Sequence, residues 1–363
     1  MRKGRLIGFL VLAAALACLA VFASRVRHPD TFFYTRASEQ MIQPGCAEIH
    51  CFRVLAPWVI GMLPGPDLVR WKAYPVVMNA LAGIAVFDLC VFLGLTQRAS
   101  VIAAILTAFG FGSLYTVFEP YTSDPIMFFL APLVTRLALD DRALGAGLAA
   151  SIGVLAKEFV LMPLAMVALI DGWMGQWRRA WRVVAAAAAG FVVWLALNAV
   201  LRVAFGYNYG PNKSPNLLNG SYLAIWLGNM GIGPALVVIF NEFGALYPLI
   251  PFGMWRAPLR LRQLAVASLP FVLLLCYVEQ PDRALWNFHF IGNPLAALVL
   301  EPMPNAFVVP FLGIYVLGNL RVGAQFDFVP SARYAFAVGT VLSAIAIVRM
   351  MRSAPRPAAA AGS

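Results

Sequence analysis

Lys157 and Glu158 stand side by side in GVLAKEFVLMPL, residues 153 to 164, inside an otherwise apolar run from Leu144 to Ile170. An ammonium and a carboxylate at membrane depth are each costly unless something offsets them, so the pair asks for a polar, protein-enclosed surrounding. Three further stretches carry the same kind of chemistry. The segment after the first apolar block holds His28, Asp30, Tyr34, Glu39, Glu48, His50 and Arg53. Among them Asp30, next to aromatic side chains, has the setting of a partly desolvated general base. EPYTSDP, residues 119 to 125, offers Glu119, Tyr121 and Asp124; Asp124 followed by Pro125 also reads as a helix N-cap, and capping is compatible with contacting a ligand. YVEQPDRALWNFHF, residues 277 to 290, offers Glu279, Asp282, Arg283 and His289. Arg283 suits a phosphate, being permanently charged and able to bond in bidentate fashion, although pairing with Asp282 or Glu279 would use the same group.

Two smaller patterns accompany these. His28, Asp30, Glu48 and His50 give H-x-D and E-x-H spacings that a divalent metal can use, and coincidence explains them better; no organic cofactor is expected. Cys46 and Cys51, in GCAEIHC, are either a loop-pinning disulfide or two free thiols. P-loop, GxSxG and HExxH patterns are missing from the chain, which leaves a nucleotide cradle and a zinc protease unsupported.

The elements that must position these residues are membrane helices. Of 363 residues, 61% are hydrophobic and only 12% charged, in apolar blocks that recur from end to end. That composition is a polytopic, all-α membrane protein with residues 1–352 as one integral domain and 353–363 as a disordered cytoplasmic tail. The formal charge of +11 is no nucleic-acid signal, because the basic residues sit in short loops beside the apolar blocks. The amino-terminal apolar stretch is longer than the apolar core of a signal peptide, so it reads as an uncleaved first helix; cleavage after Ala23 is the alternative. About 10–12 spans follow from hydropathy. They lie near 6–24, 75–95, 100–118, 123–139, 144–157, 159–171, 183–205, 236–255, 263–278, 284–300, 305–320 and 334–349, with a long first external loop at 25–74 and an interfacial helix at 221–235. GYNYGPNKSPNLLNG, residues 206 to 220, reads as a turn-rich flap carrying Lys213.

The basic loop DGWMGQWRRAWR, residues 171 to 182, decides how 144–171 is threaded. Only a turn at Lys157 keeps this loop on the same side as the amino terminus and the other basic loops, with Arg5, Arg98, Arg136, Arg256 and Arg349 among their residues, as the positive-inside rule requires. Legs of about 13 residues rise only about 20 Å, short of a core of about 30 Å, and such broken helices are tolerated where their ends line a polar cavity. Lys157 and Glu158 are then expected at the floor of a cavity open to the outside. The same threading places most of the 16 acidic residues and all three histidines on the non-cytoplasmic face.

This pattern resembles the GT-C class of membrane glycosyltransferases, which includes protein O-mannosyltransferases and aminoarabinose transferases. HPDTFFY matches the acidic residue that class carries in its first external loop, GVLAKEFVLMPL matches a lysine at a short broken helix pair, and EQPDR adds weaker support. The resemblance implies transfer of a sugar from a polyprenyl-phosphate donor to a glycan, lipid or protein acceptor at the outer, periplasmic or extracellular face of an inner (plasma) membrane. It implies Asp30 as base, Lys157, Arg53 and Arg283 facing the lipid phosphate, and Glu158 orienting Lys157 or meeting the acceptor. Tyr34, Glu119, Asp124 and Asp282 complete the candidate substrate-contacting set. Two other classes stay open on the residues: a secondary transporter of a small or lipid-linked solute, and a non-catalytic assembly factor for envelope polysaccharide.

Overall fold

The computed structural model describes residues 2–22, 29–209, 242–278, 281–320 and 332–353, with isolated positions at 224, 228, 231 and 233; at Asp30 and Asp282 it describes the backbone alone. The described chain is helical. In order it forms α1 (Arg2–Phe22), α2 (Pro29–Gln40), α3 (Leu55–Met62), α4 (Asp67–Phe92), α5 (Gln97–Ala108), α6 (Phe111–Phe118), α7 (Asp124–Leu139), α8 (Ala143–Gly153), α9 (Met162–Trp173) and α10 (Trp177–Phe205). There follow α11 (Leu249–Arg256), α12 (Leu259–Val278), α13 (Pro281–Leu285), α14 (His289–Leu300), α15 (Asn305–Asn319) and α16 (Ala332–Ser353). The interfacial helix at 221–235 and the flap from 210 on lie outside the described residues, as do Glu279, His28 and the tail from 354.

Six stretches are long and apolar enough to cross a bilayer: Lys3–Val21, Asp67–Phe92, Gln97–Phe118, Trp177–Phe205, Leu259–Val278 and Tyr334–Arg352. The chain is a multi-pass membrane protein. The remaining expected spans are short helices, from the 8 residues of α11 to the 16 of α7. At a rise of about 1.5 Å per residue, none reaches alone across a core of about 30 Å. They are tolerated because each packs part of its surface on protein: all twelve residues of α14 are buried, whereas α8 keeps Leu144, Leu148 and Ile152 exposed. Buried amides find partners on short and long helices alike, with Asn293 of α14 donating to Thr107 Oγ1 at 3.1 Å and Asn79 of α4 to Thr116 Oγ1 at 2.9 Å.

The expected reversal at Lys157 is present. Gly147 faces Ala186 and Ser151 faces Gly190, so α8 runs parallel to α10; Leu161 also faces Gly190 and Gly172 faces Trp177, so α9 runs antiparallel to it. The chain therefore turns back across Val154–Leu161. Gly153 permits the turn, since a Cβ there would stand 2.6 Å from Val160 and 2.7 Å from Leu130. Lys157 itself is extended, at φ −159° and ψ 125°, before a single tight turn at Glu158–Leu161.

The first external segment corrects the expected loop. Much of it is helical as α2 and α3, and its last residues, from Asp67, already belong to α4. Cys46 and Cys51 are joined in a disulfide. Around it Gly45 N–H donates to the Phe205 carbonyl at 2.8 Å and Asn208 N–H to the Cys46 carbonyl at 2.9 Å. Gly206, left-handed at φ 68°, ends α10 so that these bonds can form.

Basic side chains collect at one end. Arg5 and Arg136 both meet Asp88 (2.9 and 3.4 Å), Arg179 meets Asp171 (3.2 Å), Arg182 meets Asp141 (3.1 Å), and Arg98 donates to Asn305 at 2.9 Å. Asp124, Lys157, Glu158, Arg53 and Arg283 gather at the other end, where α7 starts and α8 and α10 finish.

Candidate functional site

Four separated stretches meet at the reversal. Lys157 donates to Asp124 Oδ1, and both side chains are closed to solvent, at 0% and 1% exposure. Arg283 Nη2 lies 3.2 Å from Asp124 Oδ2, which also accepts from Thr122 Oγ1 at 2.9 Å. Arg53 Nη2 lies 3.3 Å from Glu158 Oε1. A carboxylate that deep is tolerable only with paired charges and hydrogen bonds on both oxygens, and Asp124 has both.

These partners differ from those the sequence suggested. Glu158 does not hold Lys157; it meets Arg53, while Lys157 meets Asp124 on α7. The reason is directional. Lys157 is extended and Glu158 opens the next turn, so neighbours in the chain point to different sides of it. Asp124 is likewise not the cap of α7. Ser123 occupies that position, with no side-chain cap bond, and Asp124 is the first helical residue. Its backbone N–H goes to Thr122 Oγ1 at 3.3 Å, which frees the carboxylate for the two cations.

Arg283 sits on α13, and its guanidinium lies over Trp286 at 5.5 Å. Trp286 is buried against Tyr115 (5.3 Å) and Phe128 (6.1 Å). A Cβ on Gly112 would come within 2.8 Å of it, so only glycine lets this platform seat. With 28% of its side chain exposed, Arg283 is the most accessible of the three cations; Arg53 has 10% and Lys157 none. Of the two residues expected at a cavity floor, Glu158 keeps 29% of its side chain exposed and Lys157 is sealed.

The first two turns of α2 are fastened beside this network. Tyr34 is buried, and its hydroxyl donates to Ser123 Oγ at 3.4 Å; Thr31 Oγ1 donates to Glu119 Oε1 at 3.4 Å. The backbone of Asp30 therefore enters α2 next to the 119–124 stretch. Sequence reasoning missed Thr31, Thr122, Ser123 and Trp286, which carry no chemical signature in a one-dimensional reading. Among the described residues, no three His, Cys, Asp or Glu side chains converge as a metal set. His289, buried on α14, shares a hydrogen bond with the Glu242 carbonyl at 3.1 Å, away from Asp124.

No protein-family model and no curated protein matches the chain. Among solved structures it is similar to the crystal structure of an oligosaccharyltransferase from Archaeoglobus fulgidus, tethered to an acceptor peptide containing the NVT sequon, with a TM-score of 0.54 and 14% identity. The likeness covers 98% of this chain and 56% of the archaeal one, so the chain spans a little over half the length of its structural neighbour. What the two share is the fold, and that fold is GT-C-like.

Proposed function

We propose that the chain is a membrane glycosyltransferase that moves a sugar from a polyprenyl-phosphate donor to a glycan, lipid or protein acceptor. Transfer takes place at the end opposite the basic loops, which the positive-inside rule makes the periplasmic or extracellular face of an inner (plasma) membrane. The observation that carries the reading is the gathering of Arg53, Lys157 and Arg283 with Asp124 and Glu158 at a helix break on that end. The likeness to an oligosaccharyltransferase supports it.

The chemistry is a displacement at the sugar's anomeric carbon. The acceptor's oxygen or nitrogen forms the new bond, its proton passes to a carboxylate, and the bond from the anomeric carbon to the phosphate oxygen breaks. Polyprenyl phosphate leaves with that electron pair. Arg283, partly open over Trp286, and Arg53 meet the departing phosphate, where negative charge grows. Lys157 fixes Asp124, and through it the position of Arg283. Asp30, at the start of α2, serves as the base.

Proteoliposomes supplied with a polyprenyl-phosphate sugar should release polyprenyl phosphate in step with sugar transfer. Asp30→Asn keeps the side-chain shape, so insertion should be normal and turnover should fall by about 10² to 10⁴. Arg283→Gln should raise the donor KM by about 10- to 150-fold, the loss of one charge-assisted hydrogen bond. Near-normal turnover by Asp30→Asn would move the base to Glu48 or Glu119. Normal donor affinity in Arg283→Gln would remove the phosphate assignment, and failure of wild-type protein to bind or cleave any such donor would overturn the reading.

A further inference from the structure

At the basic end of the molecule, far from Lys157, α1, α4 and α5 enclose a groove of about 640 Å³. Its walls are apolar, with Leu12, Ile84, Phe87, Val101 and Ile105 among them, and Gly4 and Gly8 keep one side open. A Cβ on Gly4 would meet nothing within 4 Å, and one on Gly8 only the tip of Ile84 at 3.4 Å. The surrounding face of α1 is exposed hydrocarbon: Leu6, Ile7, Leu10 and Val11 are each more than half exposed. In a bilayer this face meets acyl chains, and the polar side chains that line the groove, Arg5 and Gln97, stand at its rim.

The mouth has the opposite character. Arg5 lines it, with 37% of its side chain exposed. Arg5 and Arg136 share the single carboxylate of Asp88, at 2.9 and 3.4 Å, so two guanidiniums face one negative charge. Lys3, exposed, adjoins Gly4, and Gln97 adds an amide at the rim. An apolar slot under a cationic, hydrogen-bonding rim at the membrane surface complements one kind of molecule.

We infer that this groove holds an acyl chain of an anionic glycerophospholipid whose phosphate rests against Arg5 and Lys3. A second copy of the chain is the competing occupant, since Gly4 and Gly8 form a G-x-x-x-G pair of the sort that packs helices. Charge argues against it. Two α1 helices joined across those glycines would bring Lys3 and Arg5 of one copy against their own equivalents. The site is independent of the proposed donor site, which lies at the other end.

Native mass spectrometry of the full-length protein, released from mixed micelles of phosphatidylglycerol and phosphatidylcholine, tests the assignment. Wild type should retain one phosphatidylglycerol in preference to phosphatidylcholine. Gly8→Leu fills the slot from a position with room for it and should abolish retention; Gly4→Leu, whose Cβ meets nothing, should do the same and guards against a folding defect in the first. Lys3→Gln and Arg5→Gln should each lower the preference by about fivefold. Equal retention of both lipids, or undiminished retention in both leucine variants, would overturn the inference. A dimer mass lost on Gly8→Leu would hand the groove to a second copy and overturn it as well.

Discussion

Asp124→Asn is the most informative single change in the molecule. It keeps shape and the contact with Thr122, but leaves Lys157, at 0% exposure, facing a neutral amide. Removing one partner of a buried ion pair costs about 3 to 5 kcal/mol, or two to nearly four powers of ten in the folding equilibrium. Lys157→Met should cost less, about 1 to 2 kcal/mol, because Asp124 retains Thr122 at 2.9 Å and Arg283 at 3.2 Å. At 3.2 Å the Arg283 attraction is still about 5 kcal/mol for an effective dielectric constant near 20, before desolvation is set against it. The double variant buries neither an ammonium nor a carboxylate at this pair. It should therefore be more stable than Asp124→Asn alone, with an interaction energy of about 2 kcal/mol or more. Equilibrium unfolding of all four proteins in bicelles gives the cycle directly. Additivity within about 0.5 kcal/mol, as for side chains that share no contact, would mean that the two do not meet, and the partner assignment would fall.

Two further outcomes follow from the external segment and from the threading. Replacing Cys46 and Cys51 together by serine removes a bridge across five positions and should lower stability by about 2 kcal/mol, while non-reducing peptide mapping of the native protein should show one crosslinked peptide; two alkylatable thiols would end the idea. Trp177 is exposed at the basic end, so the variant Trp177→Cys should react with an impermeant maleimide only after the membrane is opened, and labelling of intact cells would reverse the orientation.

The helices were legible because length and hydropathy mark membrane segments strongly. Nearly every expected span has a helix within a few residues of it, and even the break at Lys157 followed from a rule about arginines. What the sequence concealed was pairing. Both Asp124 and Lys157 read as outer-end residues, but 33 positions separate them, and proximity in the chain favoured Glu158 instead. Only backbone direction decides between them, and an extended residue ahead of a tight turn sends adjacent side chains apart. The N-cap assignment of Asp124 failed for a related reason: Thr122 offered its hydroxyl to the backbone two residues on, and such local competition among Ser, Thr and Asp is not resolved by spacing. Trp286 was invisible because a tryptophan in an apolar stretch carries no sign of which cation lies over it.

A buried ion network of this kind does not explain itself by stability, because well-packed apolar replacements are often as stable or more so. Its arrangement points to placement. Lys157 sits at a one-turn break, its backbone extended between a bond to the Gly153 carbonyl and one from Val160 N–H; Arg283 lies on a helix of five residues, and Arg53 in the connection two residues beyond a disulfide. None of these short elements can fix a side chain alone. Asp124, on the much longer α7, holds Lys157 and Arg283 together, while Glu158 ties Arg53 to the same turn. The clasp of Gly45 and Cys46 on the end of α10 holds the remaining side. Each cation is thereby referred to a helix anchored in the bilayer. A phosphate arriving at Arg283 and Arg53 would meet groups already oriented for it, so that little of the binding energy is spent on ordering them.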